Sequence, residues 1–150
     1  MKLFFDENDF KNLLTNLKIE KTVSGGSVAN SIVGISQLGN KAGFIGKISD
    51  DEFGSNYEQG LKKENVEYFY SKKKEELPTG TCLILVTPDS ERTMCTFLGT
   101  AGKINEKDVS SDAIRKSEII FLEGYLWDEG DPKKAFDKAI NNANKVAMSL

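Results

Sequence analysis

The sequence predicts an α/β protein with a mainly parallel, three-layer sheet and one antiparallel β excursion. Short apolar strands alternate with amphipathic helices along the chain, and a hairpin pattern interrupts this alternation. The continuous apolar run Ile119–Leu122 is typical of a strand that is covered on both faces. A chain of 150 residues is long enough to bury a core without disulfide bonds.

Two amphipathic helices are predicted near the start of the chain. The first runs from Asp6 to Leu17, because its apolar residues recur every three or four positions and Asp6 can cap the first turn. The second begins after the Gly25-Gly26 pair and ends at Gly39-Asn40. A short strand is predicted at 22–24, directly before the glycine pair.

A third helix is predicted between two further strands. The strands are expected at 41–47 and 67–71, on either side of the helix. Ser49 and Glu52 have the spacing of a capping box, so we expect Ser49 to cap this helix.

The segment 79–98 is predicted to be a β-hairpin. Two strand-like runs flank Pro88, and a proline at this position favours a turn. Cys82 and Cys95 lie on opposite strands, and the sequence leaves their register open. We expect them to pack as small apolar residues.

Helix and strand alternate again after residue 105. Beyond the apolar run Ile119–Leu122, the pair Asp131-Pro132 is typical of a helix cap and first turn. Phe136 and Ala139 belong to the apolar face predicted for that helix. The segment 145–150 is predicted to begin another buried strand.

The composition excludes several functional classes. The chain contains no histidine, so histidine-activated nucleophiles and histidine metal ligands are excluded. A net charge of −3, from 20 basic and 23 acidic residues, gives no electrostatic basis for binding nucleic acid. No apolar stretch is long enough to cross a membrane. We therefore expect a cytoplasmic protein with reduced thiols and neither nucleic acid nor membrane as a partner.

One candidate site follows the predicted buried strand. In open α/β sheets, ligands bind outside the carboxyl ends of the strands, and Glu123 stands at that position. Its carboxylate can reach a ligand from a rigid strand. The alternative is a solvated strand end or a helix cap.

A second candidate site is the glycine loop, residues 24–30. Gly25 and Gly26 allow a ligand to approach the backbone, and the first N–H groups of the following helix can donate to ligand oxygens. Asn30, one turn into that helix, offers both a donor and an acceptor. A simple helix start explains the glycines about as well. The loop is not Gly-x-Gly-x-x-Gly, so it does not indicate a dinucleotide-binding oxidoreductase.

Two other patterns carry no site. The segment 99–103 suggests a P-loop, but that pattern needs glycine at position 97 and Ser or Thr at position 104, where Phe97 and Ile104 stand. The acidic residues Asp128, Glu129 and Asp131 are more typical of capping and solvation than of a cation site.

Several segments together carry a family resemblance. They are Gly25–Asn30 (GGSVAN), Leu38–Gly54, Pro78–Thr81, Arg92–Met94 and Glu123–Trp127 (EGYLW). These segments resemble the ribokinase-like (PfkB) family of carbohydrate and purine kinases, most closely its adenosine-kinase-like branch. The family usually has glycine where Ser49 stands. The resemblance covers nearly the whole chain from about residue 20 and implies a ribokinase-like, Rossmann-like three-layer sheet with a small β lid.

The resemblance implies ATP-dependent transfer of phosphate to a primary hydroxyl of a sugar or nucleoside, with ATP and Mg²⁺ as cofactors. It assigns acceptor binding to five residues: Gly25, Gly26, Asn30, Leu98 and Glu123. Leu98 is expected to touch the base or ring of the acceptor. The lid is expected to comprise about 66–71 and 79–98. Gly46, Asp51 and Gly54 are expected to serve structure, through tight packing and a helix start.

The resemblance also implies parts that these 150 residues do not include. They are a first strand with a substrate-binding Asp, the Asp-Thr-x-Gly-Ala-Gly-Asp signature with the catalytic Asp base, and the Asn-x-x-Glu motif linked to magnesium. We therefore expect residues 1–150 to be the N-terminal part of one kinase domain, inactive alone and without catalytic or metal-binding residues of its own. The alternative is a non-catalytic binding or dimerisation module, because exposed lid strands can pair between subunits. The acceptor stays open among adenosine, other nucleosides, ribose and fructose.

Overall fold

One mixed sheet and two parallel strand pairs form the β-structure of the computed structural model, which describes residues 2–4, 6–70, 72–127 and 130–149. The strands in these ranges are β1 (Lys2–Phe4), β2 (Ala42–Phe44), β3 (Val66–Tyr68), β4 (Thr81–Val86), β5 (Arg92–Phe97), β6 (Ile120–Glu123) and β7 (Val146–Ser149). The α-helices are α1 (Glu7–Thr15), α2 (Ser27–Gln37), α3 (Glu52–Lys63), α4 (Ser111–Lys116) and α5 (Asp131–Asn142). Short 3-10 helices lie at Gly99–Lys103, Glu106–Asp108 and Gly124–Leu126.

The strand pairing confirms an α/β fold with a β excursion. Strand β2 pairs with β3, and β6 with β7, both in parallel. The mixed sheet has the order β1-β5-β4, in which β5 is parallel to β1 and antiparallel to β4. Helices separate the parallel strands along the chain, as connections between parallel strands require.

The first two helices form where the sequence predicts them. The Asp6 carboxylate accepts a hydrogen bond from the backbone N–H of Asn8 at 2.7 Å and thereby caps α1. Helix α2 begins directly after Gly26, whose φ of 104° favours glycine. The strand predicted at 22–24 is wrong. That segment is exposed, and no strand in the described part of the chain supplies the hydrogen bonds that it would need.

The cap of α3 is Asp51, so the prediction of Ser49 as the cap is wrong. Asp51 Oδ1 accepts a hydrogen bond from the backbone N–H of Gly54 at 2.7 Å. Ser49 is instead buried, and its hydroxyl accepts a hydrogen bond from the N–H of Glu75 at 3.2 Å. The flanking strands β2 and β3 are each three residues long, shorter than predicted. Ser71, the last residue of the predicted 67–71 strand, lies outside the described residues.

The predicted hairpin is confirmed as β4 and β5, in register from Thr81 opposite Phe97 to Val86 opposite Arg92. One face of its sheet contacts α1, where the ring of Phe10 stacks on that of Phe97 with centroids 5.9 Å apart. The opposite face carries the exposed apolar side chains of Ile84, Val86 and Met94. Both cysteines are free thiols, Cys95 buried and Cys82 exposed.

Two apolar clusters position the parallel strands. Ala29, Leu61 and Val66 are buried together and hold α2 and α3 against the β2-β3 pair. The second cluster joins α4 and α5 to β6 and consists of Val109, Ile114, Ala135 and Ala139, with Ile120 packed against it. The start of α2 is therefore held by the buried Ala29, and β6 is held through its first residue, Ile120.

The last strands are less buried than predicted. Helices α4 and α5 pack against β6 through Ile120, but Ile119 is 57% exposed. Strand β7 is exposed along its length, Val146 being 44% exposed, so the prediction of a buried strand is wrong in the described chain. Leu150 lies outside the described residues, as do Asp128 and Glu129. The cap of α5 is Gly130, one residue before the predicted Asp131.

None of the helices within the described ranges is long and apolar enough to cross a membrane.

The Gly54→Ala substitution is expected to lower the free energy of unfolding by about 1–3 kcal/mol, because a Cβ there overpacks a buried helix start. That Cβ would lie 2.1 Å from the carbonyl oxygen of Ser49. Urea unfolding, followed by circular dichroism, measures the change.

Gly34→Ala is the matched control within a helix. A Cβ at Gly34 would meet no heavy atom within 4 Å, so alanine should stabilise α2 by about 0.5–1 kcal/mol. Equal effects of the two substitutions would contradict the packing argument for Gly54.

Candidate functional site

The glycine loop leaves an open helix start. Gly25 and Gly26 are exposed, and a Cβ at Gly25 would meet no atom within 4 Å, so ligand atoms can approach the backbone there. Among the described residues no side chain caps α2, and the first N–H groups of a helix have no acceptor within the helix. These N–H groups, at the positive end of the helix, can donate to ligand oxygens.

Glu123 lies beside this helix start. It is the last residue of β6 and is half-buried, and its Oε2 accepts a hydrogen bond from the hydroxyl of Ser27, the first residue of α2. The two candidate places, 96 positions apart in the sequence, therefore form one site. A carboxylate near a helix N-terminus is also favoured electrostatically.

Asn30 adds a polar side chain one turn into α2. It is exposed, and its side chain makes no hydrogen bond to the residues that the structure describes. Its backbone N–H is bound to the carbonyl oxygen of Gly26 at 2.9 Å, which confirms that the helix is regular at this point. The carboxamide is therefore available to a ligand as both donor and acceptor.

Leu98 lies in a different part of the fold. It follows β5 at the return of the hairpin and is 38% exposed. Gly80 and Gly102 pack closely against it. A Cβ at Gly80 would lie 2.6 Å from the carbonyl oxygen of Leu98, and a Cβ at Gly102 would lie 3.2 Å from its Cβ. The hydrogen bond at Ser27 joins Glu123 to the glycine loop, whereas these contacts of Leu98 lie at the base of the hairpin.

Ser27 is a site residue that sequence reasoning missed. It lies within the glycine loop, but the first position of a helix is a common place for a serine that merely supports the cap. Its contact with Glu123 depends on how β6 is placed beside α2. No local sequence signal shows that placement.

Buried charges lie at a second place, below the hairpin. The side chain of Lys47 is 7% exposed, and its Nζ lies 3.2 Å from Asp108 Oδ2 and 3.5 Å from Glu75 Oε2. Tyr70 donates a hydrogen bond to Glu75. The network joins the segment after β2, the segment before the hairpin and the 3-10 helix Glu106–Asp108.

The Glu75 carboxylate is stabilised in its charged form. Burial acts to raise the pKa of Glu75, but the hydrogen bond from Tyr70 and the charge of Lys47 outweigh it and hold the pKa below its ordinary value. For Tyr70, burial and the same hydrogen bond raise the pKa. Burial alone raises the pKa of Tyr57 to about 12.

The residues that the structure describes show no grouping of metal ligands. In residues 2–4, 6–70, 72–127 and 130–149, no three acidic or cysteine side chains are grouped so that they could hold a metal ion. A cleft of about 490 Å³ lies beside Tyr68, Tyr70 and Asp108, and none of the five predicted site residues lines it.

The family comparison covers almost the whole chain. Residues 4–148 match the profile of the pfkB family carbohydrate kinases. The chain belongs to this family. The resemblance inferred from the sequence motifs is thereby confirmed.

Relatives of this pfkB-family chain are sugar kinases and adenosine kinase. It is 28% identical to the 5-dehydro-2-deoxygluconokinase of Mesomycoplasma hyopneumoniae (strain 232), over 97% of this chain and 45% of that protein. It superposes on the adenosine kinase from Sinorhizobium meliloti with a TM-score of 0.89 at 31% identity, covering 100% of this chain and 47% of the other. A probable sugar kinase from Rhizobium etli CFN 42 gives a TM-score of 0.86 at 29% identity, covering 99% and 46%. The chain thus spans about half the length of these relatives, and the ribokinase-like fold is confirmed.

The Glu75→Gln substitution is expected to flatten the acid branch of the stability curve of this pfkB-family chain. Because the pKa of Glu75 is lowered on folding, its carboxylate stabilises the fold above the ordinary glutamate range, and this contribution is lost as the pH falls through the lowered pKa. Urea unfolding at several pH values between about 5 and 2 measures the slope.

Glu76→Gln is the control, since Glu76 is the exposed neighbour and makes no ion pair with the described residues. It should leave the slope unchanged. An unchanged slope in Glu75→Gln would show that the buried network does not respond to acid through this carboxylate.

Proposed function

We propose that the protein containing this chain transfers phosphate from ATP to a primary hydroxyl of a sugar or nucleoside. The chain supplies the acceptor-binding residues Gly25, Gly26, Asn30 and Glu123, with Leu98 at the edge of a lid formed by about 66–71 and 79–98. The observation that carries the proposal is the hydrogen bond between Ser27 and Glu123, which makes one site of the glycine loop and the end of β6.

The chemistry of this site suits a polyhydroxylated acceptor. The Glu123 carboxylate accepts hydrogen bonds, the free N–H groups of α2 donate them, and the Asn30 carboxamide does both. Adjacent hydroxyl groups of a sugar ring need this mixture, because each hydroxyl can donate and accept at once. The relatives support the same class, since their names specify kinases of a sugar derivative and of adenosine.

Phosphoryl transfer depends mainly on positioning and on charge neutralisation. In the proposed enzyme this chain orients the acceptor hydroxyl, while the hairpin excludes water that would otherwise take the phosphate. ATP and Mg²⁺ supply the phosphoryl group and neutralise its charge, and we place them and the Asp base outside this chain. A cytoplasmic location belongs to the same proposal.

The purified chain should bind an acceptor without turning it over. Isothermal titration with adenosine, ribose and fructose measures binding, and ADP release in the presence of ATP and Mg²⁺ measures turnover. In Asn30→Ala the bound acceptor should lose about 1–3 kcal/mol of binding free energy, because its hydroxyls are left without a partner.

Asn141→Ala is the matched control, since Asn141 is an exposed asparagine on α5. It should leave acceptor affinity unchanged. Binding that is insensitive to Asn30→Ala would refute the role of this residue. ADP release by the chain alone would refute the placement of the catalytic groups outside it. A chain that binds none of the three acceptors would refute the acceptor site.

The second candidate function is a non-catalytic dimerisation module derived from the lid. Strand β4 lies at the edge of its sheet, where its outer backbone groups are open to another strand. On the face of the hairpin turned away from α1, Ile84 is 48% exposed, Val86 65% and Met94 39%. An apolar face beside an open edge favours pairing with a second copy of the chain.

We expect the chain to form a homodimer through this face, and Ile84→Lys to convert it to a monomer. Size-exclusion chromatography with light scattering measures the mass. Ile19→Lys is the control, since Ile19 is 47% exposed but lies in a loop. A wild-type monomer would contradict the interface, and a dimer that binds none of the acceptors would favour the module over the kinase.

A further inference from the structure

Asp51 makes more contacts than a helix cap requires. Its Oδ1 accepts hydrogen bonds from the N–H of Gly54 and from the hydroxyl of Thr79, both at 2.7 Å. Its Oδ2 accepts a hydrogen bond from the N–H of Thr79 at 2.8 Å. One carboxylate therefore joins the first turn of α3 to a residue that lies two positions before β4.

Thr79 is buried and makes hydrogen bonds to both Asp51 and Ser49. It is 5% exposed, and its hydroxyl also accepts a hydrogen bond from the N–H of Ser49 at 3.0 Å. The space that it occupies exists because residue 54 is glycine, where a Cβ would lie 2.9 Å from the Thr79 hydroxyl. The first turn of α3 therefore packs closely against Thr79, and a larger residue at position 54 would displace it.

The two ends of the hairpin cross directly beside Thr79. The N–H of Thr100 donates to the carbonyl oxygen of Pro78 at 2.9 Å. A Cβ at Gly99, which has a φ of 51°, would lie 2.2 Å from that oxygen, and a Cβ at Gly80 would lie 2.6 Å from the carbonyl oxygen of Leu98. The backbones are in contact at this crossing, so a shift of Thr79 is passed to Leu98.

The charge on Asp51 is maintained by its partners. Burial acts to raise the pKa of Asp51, but the hydrogen bonds from Thr79 and Gly54, with the charge of Lys72, hold it below its ordinary value. The group is therefore an ionised carboxylate at neutral pH, with both of its oxygens engaged.

We propose that Asp51 is a positioning residue, which through Thr79 fixes the base of the hairpin and Leu98 relative to α3. The hairpin then closes on the acceptor from a defined base. This inference rests on the proposed function, in which the hairpin is the lid. It differs from a capping role, which needs only the contact between Asp51 and Gly54.

Asp51→Asn separates the two roles. Asparagine caps helices as well as aspartate does, so α3 keeps its cap. Its carboxamide keeps one oxygen, which can still accept from the N–H of Gly54 and the hydroxyl of Thr79. The NH₂ group that replaces Oδ2 is a donor, so it cannot accept from the N–H of Thr79. Hydrogen exchange measured by mass spectrometry should show hairpin amides of 81–86 and 92–97 exchanging at least about tenfold faster, with the amides of α3 unchanged.

Thr79 supplies the matched pair of variants. Thr79→Val removes the hydroxyl at nearly constant shape and leaves Asp51 to cap α3, so it should also accelerate exchange in the hairpin. Thr79→Ser keeps the hydroxyl and should resemble the wild type. Hairpin amides that exchange at the wild-type rate in both Asp51→Asn and Thr79→Val would overturn the inference. So would an acceleration that is equal throughout the chain, because it would indicate general destabilisation.

Titration with adenosine tests the link to the acceptor. If the wild-type chain binds adenosine, the affinity should fall about tenfold in Asp51→Asn and be restored in Thr79→Ser relative to Thr79→Val. Unchanged affinity in Asp51→Asn would overturn the positioning role. If the wild-type chain binds none of adenosine, ribose and fructose, the proposed function fails, and the exchange experiment alone decides whether Asp51 fixes the hairpin.

Discussion

The hydrogen bond from the Ser27 hydroxyl to the Glu123 carboxylate determines where the candidate acceptor site lies. It joins the start of α2 to the end of β6, two elements that belong to separate strand pairs. Each element is held by its own apolar cluster, α2 through Ala29 and β6 through Ile120. The polar groups of the site are therefore presented from packed elements, which is how a site keeps its geometry before a ligand arrives.

The charged groups below the hairpin follow a different constraint. A buried charge is costly unless it is paired and hydrogen-bonded. The buried Lys47 and the half-buried Asp51 both have such partners, far away in the sequence. Their partners Glu75, Thr79 and Asp108 lie in the segments before and after the hairpin. The cost of burying these charges is offset only when the segments are in place, so the network favours one arrangement of the hairpin base.

The chain spans about half the length of its relatives, and the proposed function rests on two parts of it, the candidate site and the base of the hairpin. In the proposed function, acceptor recognition uses the polar groups at the start of α2 and the end of β6, and the hairpin serves as the cover. Phosphate activation needs a base and a cation site, and the proposed function places both outside this chain.

The sequence by itself determined the local features: the Asp6 cap, the hairpin at 79–98, and the glycine loop with Asn30 one turn later. These depend on neighbours within a few residues, so pattern and propensity suffice. Tertiary structure alone decided that Asp51 rather than Ser49 caps α3, because the hydroxyl of Ser49 accepts a hydrogen bond from Glu75, 26 positions away. It also decided that Ser27 meets Glu123. Such contacts depend on which elements pack side by side, and a single sequence does not encode that adjacency in any local pattern.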